Sequence, residues 1–192
     1  PVASIDNVEP LCPTVGSTTV TANVSSSSAS PYTYDWTGSD AALGLTNTTS
    51  NDATKTFTAT IPQACGTTYN LKLKVTDGNG CESELATQTI TVKTPATPVI
   101  NTELANRDYG CDISGMVAPQ TSDFTVTDEC ATTTPVVTLT PGEIISVNAC
   151  EKSQTYTATY TNVCGESADA KEITYRWKVV ETPTIALANG KS

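Results

Sequence analysis

In the run Thr68–Thr76 every second residue (Tyr69, Leu71, Leu73, Val75) is apolar, and the residues between them are polar or charged. A side-chain period of two places the two sets on opposite faces of an extended strand, so this run predicts a half-buried β-strand. Similar alternation recurs in Ser17–Val24, Pro31–Thr37, Thr54–Ile61 and Glu84–Lys93. It returns in Phe124–Thr127, Val136–Leu139, Glu143–Val147, Thr155–Thr161 and Glu172–Val180. No long stretch carries the 3.6-residue period of an amphipathic helix. Asp77-Gly-Asn-Gly80 reads as a turn, because Gly and Asn tolerate positive φ. Short strands at regular spacing predict an all-β protein made of two tandem Ig-like antiparallel β-sandwich domains.

Two proline joints punctuate the pattern. Thr94-Pro-Ala-Thr-Pro98 and Thr182-Pro183 stiffen the chain and lack amide donors, which marks domain boundaries. The expected division is residues 1–94, 95–182, and a tail, 183–192, that reads as the opening strand of a following repeat or as a donor strand for a neighbour. The halves share landmarks, as an internal repeat would. Cys65 precedes a Tyr-led alternating strand and a polar turn that ends on Cys81, and Cys150 precedes another that ends on Cys164.

Composition narrows the function classes. The 192 residues carry a formal net charge of −10, a poor match for nucleic acid or anionic lipid. No apolar run approaches the roughly 20 residues that cross a bilayer as a helix, so no direct membrane insertion is expected. The absence of His removes the commonest general base and metal ligand. There is no Gly-x-Ser-x-Gly elbow and no recognisable carboxylate pair, so the chain reads as non-catalytic. Widely spaced cysteines without a Cys-x-x-Cys pair suggest disulfides and an extracellular location.

Other candidate chemistry is sparse. Asp77 and Asn79 offer oxygens for Ca²⁺, with Asp35 or Asp40 as further ligands; the alternative is a plain hairpin turn. Trp36 and Trp177 are candidate sugar-stacking platforms or sandwich-core residues. Asn23-Val-Ser25 and Asn47-Thr-Thr49 match the N-glycosylation pattern.

PYTYDW at 31–36 and YNLKLKVTDGNGC at 69–81 resemble polycystic-kidney-disease-type (PKD) Ig-like repeats. Cys111-Asp112, FTVTDEC at 124–130, YTATYTNVCGESA at 156–168 and YRWK at 175–178 resemble the four-cysteine form of the hyalin repeat (HYR). That family usually closes on Asp-x-Cys-Gly-Asn, whereas Thr161-Asn-Val-Cys-Gly-Glu166 stands here. The tandem resembles segments of large secreted adhesins of gliding Bacteroidota that use the type 9 secretion system. The resemblance implies a repeat in an adhesion filament at the cell surface, with neighbouring repeats, surface polysaccharide or protein as partners. A glycan- or protein-binding module using its pole loops is the alternative.

The cysteines then read as mechanics. A seven-residue strand spans roughly 23 Å, so cysteines flanking one strand lie at opposite poles, far beyond the roughly 7 Å Cα separation of a bridge. Cys150 and Cys164 flank one strand, and Cys111 and Cys130 another. This pairs Cys111 with Cys150 and Cys130 with Cys164. Repeat correspondence pairs Cys12 with Cys65 and leaves Cys81 as an unpaired thiol, with Cys12–Cys81 as the alternative.

Overall fold

The computed structural model describes residues 1–25 and 29–179. The Thr182-Pro183 joint and the tail 183–192 lie outside the described residues. The chain is all-β, with only two single-turn 3₁₀ segments besides strands among the described residues. It divides into two compact units. The first comprises Pro1–Ala96 together with Glu129–Thr132 and Asn162–Gly165; the second comprises Thr97–Asp128, Thr133–Thr161 and the described residues from Glu166 onward.

Among its described residues the first unit has seven strands: β1 (Val2–Ile5), β2 (Ser17–Ser25), β3 (Tyr32–Asp35), β4 (Thr48–Ser50), β5 (Thr54–Thr60), β6 (Thr68–Thr76) and β7 (Ala86–Thr91). They form two antiparallel sheets, in the orders β1-β2-β5 and β4-β3-β6-β7, which is the strand distribution of an Ig-like sandwich. β6 follows the expected alternation, with Tyr69, Leu71, Leu73 and Val75 buried and Thr68, Asn70 and Lys72 exposed. Those four side chains meet Val20 and Ala22 of β2 and Phe57 and Ala59 of β5 in one core. Each large side chain so buried contributes about 1.5–3 kcal/mol. Gly78 is a close-approach position: a Cβ there would lie 2.5 Å from the Ser30 carbonyl oxygen.

Among its described residues the second unit also has seven strands: β8 (Val99–Thr102), β9 (Arg107–Asp108), β10 (Phe124–Thr127), β11 (Thr138–Pro141), β12 (Ile145–Asn148), β13 (Glu151–Thr159) and β14 (Lys171–Lys178). β10 pairs β8 in one sheet. The other runs β11-β13-β14-β9, with β12 also on β13. The β13–β14 ladder is long, from Glu151↔Lys178 to Ala158↔Lys171, and β9 adds to β14 in parallel. Ile100 and Phe124 from the small sheet meet Tyr156, Ala158, Ile173 and Tyr175 from the large one.

Four strands were not expected from the pattern: β1, β4, β8 and β9. Each has four residues or fewer, which leaves little room for alternation, although the equally short β10 was read from its sequence. Glu143–Val147 is shifted to Ile145–Asn148, whose residues are all exposed, so no inward face fixed its register.

Candidate functional site

The cysteines gather where the chain's threading is least regular. After β1, Leu11 joins the end of β7: its amide donates to the Thr91 carbonyl (2.9 Å) and its carbonyl accepts from the Lys93 amide (2.8 Å). This fixes Cys12. On the other side of that strand end, the Val92 amide donates to the Thr67 carbonyl and the Gly66 amide to the Lys93 carbonyl, which fixes Cys65. Gly66 has φ 71°, the left-handed region that favours glycine, and a Cβ there would sit 2.8 Å from Thr94 Oγ1, a hydroxyl that would have to rotate away.

Two segments from later in the chain complete this end of the first unit. Cys130 is buried and bonded to Cys12, with a Cα separation of 5.4 Å. Cys164 is bonded to Cys65, with a Cα separation of 6.0 Å. Both separations lie in the ordinary range for a bridge. Thr14 Oγ1 donates to the Cys130 carbonyl at 3.2 Å, and Lys93 Nζ pairs with Glu129 Oε1 at 2.6 Å. The Cys164 turn is built by Asn162, whose Oδ1 accepts from the Cys164 amide and whose carbonyl accepts from Gly165.

This corrects the expected pairing. Cys12 bonds Cys130 rather than Cys65, and Cys130 does not bond Cys164. The strand-pole reasoning sought partners within each half, but residues 129–132 and 162–165 pack with the first unit. Cys111 and Cys150, expected to bond each other, stand as exposed free thiols, as does Cys81. A peptide map made without reduction should link the Cys12 peptide to that of Cys130 and the Cys65 peptide to that of Cys164. A Cys12–Cys65 link would refute the arrangement.

The other candidates resolve into structural roles. Asp77 is buried, and its Oδ1 accepts from the Asn79 amide (3.0 Å) and the Cys81 amide (2.9 Å), so this carboxylate holds the turn together. Asp35 Oδ1 accepts from the Thr37 hydroxyl and amide; the hydroxyl contact first, then the amide, holds its carboxyl below the usual range. Asp40 Oδ2 accepts from the Asn70 amide. No group of three or more His, Cys, Asp or Glu placed to hold a metal occurs among the described residues. Both tryptophans are buried, so neither is an exposed platform. The two glycosylation-pattern asparagines have engaged side chains: Asn23 bonds Asp6 and Thr54, and Asn47 bonds the Trp36 amide and Thr37.

Sequence reading missed Tyr160 and Asp128. Tyr160 donates its hydroxyl to Asp128 Oδ2 at 2.7 Å, joining the roots of the two segments that carry Cys130 and Cys164. Burial, then the Asp128 hydrogen bond and charge, push the Tyr160 phenol up to about 12. The folded protein therefore holds this proton more tightly than the unfolded chain. The stability it confers is full below pH 10.0 and is lost as the pH rises towards about 12. Asp128→Asn should lower this pKa and flatten that alkaline loss. Ultraviolet titration of tyrosinate, assigned with Tyr160→Phe, reads the result.

No family model matches the chain, and no curated protein matches it. A search of solved structures returns the fibronectin(III)-like modules of CbhA from Clostridium thermocellum. They share 14% identity, with 95% of this chain and 100% of that chain covered, at a TM-score of 0.30. A score that low carries no inference. No helix among the described residues is long and apolar enough to cross a membrane.

Proposed function

We propose that this chain is a non-catalytic, tension-bearing segment of a large extracellular adhesin. Its two bridges join residues 118 and 99 positions apart, and this observation carries the reading. A stretched polypeptide can extend no further than the shortest covalent path between its ends. The Cys12–Cys130 bond short-circuits most of the first domain and the start of the second. The resemblance to PKD and four-cysteine HYR repeats supports the finer statement: a repeat of a Bacteroidota surface filament, of the gliding-adhesin type, exported by the type 9 secretion system. Neighbouring repeats are its first partners, and surface polysaccharide or protein its second. The disulfides favour the oxidising extracellular space.

The test is force spectroscopy of the chain pulled from its two ends. At about 3.6 Å per residue, the reduced chain should extend to roughly 690 Å, and the oxidised chain to only ~270 Å. Bridges confined to each half, Cys12–Cys65 and Cys130–Cys164, would instead allow ~390 Å. Removing Cys65 and Cys164 should leave the oxidised length unchanged, because the other bond already sets the shortest path. Removing Cys12 and Cys130 should raise it to ~340 Å. An oxidised chain that extends like the reduced one would refute the proposal.

A further inference from the structure

Both bridges lie inside the first unit, so among the described residues the second unit has no cross-link of its own. Among the described residues it also has the smaller core, with eight buried residues clustered against fifteen in the first unit. Two of its segments are scarcely buried at all. Residues 141–150 are exposed throughout, with Ile144, Ile145 and Val147 among them, and residues 111–118 are exposed apart from half-buried Met116. One segment begins at Cys111 and the other ends at Cys150.

The sheet brings these two ends to the same place. The Lys178 amide donates to the Gly110 carbonyl at 2.6 Å, and the Val179 amide donates to the Cys150 carbonyl at 2.9 Å. Gly110 and Cys150 therefore flank Lys178 and Val179 at the end of β14, the first from the β9 side and the second from the β13 side, with Cys111 the next residue after Gly110. Two strand spacings amount to about 10 Å, a few ångströms beyond the roughly 7 Å within which a bridge closes. Both cysteines sit in turns outside the strands, and both are exposed and unbonded. The approach they need passes over the end of β14, where Lys178 is exposed.

We propose that Cys111 and Cys150 form a third, closable disulfide that staples the two loosest segments of the second unit across the end of β14. The oxidant is an exogenous disulfide. One thiolate attacks it and releases one thiol; the second cysteine then attacks the mixed disulfide and releases the other. Two protein thiols are oxidised to one S–S bond, and one small disulfide is reduced to two thiols. The closed bond would stabilise this unit where burial is weakest, and the first unit's bridges would be unaffected.

The experiment incubates the full chain with oxidised glutathione, then alkylates free thiols and maps peptides without reduction. The expected result is a Cys111–Cys150 peptide, with Cys81 left as the single alkylated thiol. Hydrogen exchange should slow in residues 111–118 and 141–150 by about tenfold. In Cys111→Ser, Cys150 should instead retain glutathione, and exchange in both segments should stay fast. Separate glutathione adducts on Cys111 and Cys150 of the unsubstituted chain, a bond from either to Cys81, or a link between two chains would each overturn the proposal. Because the Cys111–Cys150 bond shortens no end-to-end path, the force measurement is blind to it, and the two proposals fail separately.

Discussion

Replacing Cys12 and Cys130 together by alanine should cost the first unit about 4–5 kcal/mol of stability, the loop-closure entropy of a cross-link across more than a hundred residues. The bond joins positions 118 apart, and Cys130 is buried, so alanine at both ends removes the cross-link without stranding a lone thiol in the interior. For a unit of this size the loss corresponds to a fall in melting temperature of roughly 20 °C. Thermal melting followed by circular dichroism, with the remaining thiols blocked, measures it. Replacing Cys65 and Cys164 should cost a similar amount, since those positions lie 99 apart. Removing both bonds should cost slightly more than the two single losses added, because each single loss is measured while the other bond already shortens the loop to be closed. A change of less than about 1 kcal/mol for either pair would mean that the unfolded chain is not restrained as the connectivity requires.

The strands were legible because their signal is local. Tyr69, Leu71, Leu73 and Val75 announce one face of β6 without reference to any other part of the chain, and the structure buries all four. Thr54–Ile61 carried the same signal in Phe57, Ala59 and Ile61. The bridges were not legible, because disulfide partners are chosen by tertiary proximity. Nothing in the residues around Cys130 or Cys164 states that these two short segments pack with the first unit. The strand-pole argument correctly separates cysteines that flank one strand, but it cannot rank partners across the proline joint at residues 94–98. Tyr160 was hidden for a similar reason, since its partner Asp128 lies 32 residues away and neither belongs to a motif. Asp77 was visible as a candidate ligand, but the amides of Asn79 and Cys81 that occupy its Oδ1 depend on the exact path of the turn.

Trp36→Ala should destabilise the first unit by about 3–5 kcal/mol, the usual cost of emptying a large aromatic site in a core. Trp36 is 2% exposed and meets Phe57 edge-on, with ring centroids 5.1 Å apart at 73°. Phe57 in turn meets Tyr34 at 5.5 Å, so the substitution removes one of three rings packed in series between the two sheets. Trp36→Phe should cost far less, under about 1.5 kcal/mol, because most of the volume remains. The smaller ring also deletes the indole N–H, which is buried without a hydrogen-bond partner and already costs the native state its hydration. The pair of variants separates the two functional readings. A sugar-stacking tryptophan would tolerate alanine in folding and lose only binding. A core tryptophan loses stability with alanine and recovers most of it with phenylalanine. Urea unfolding of both variants decides between them, and the burial of this ring requires the second outcome.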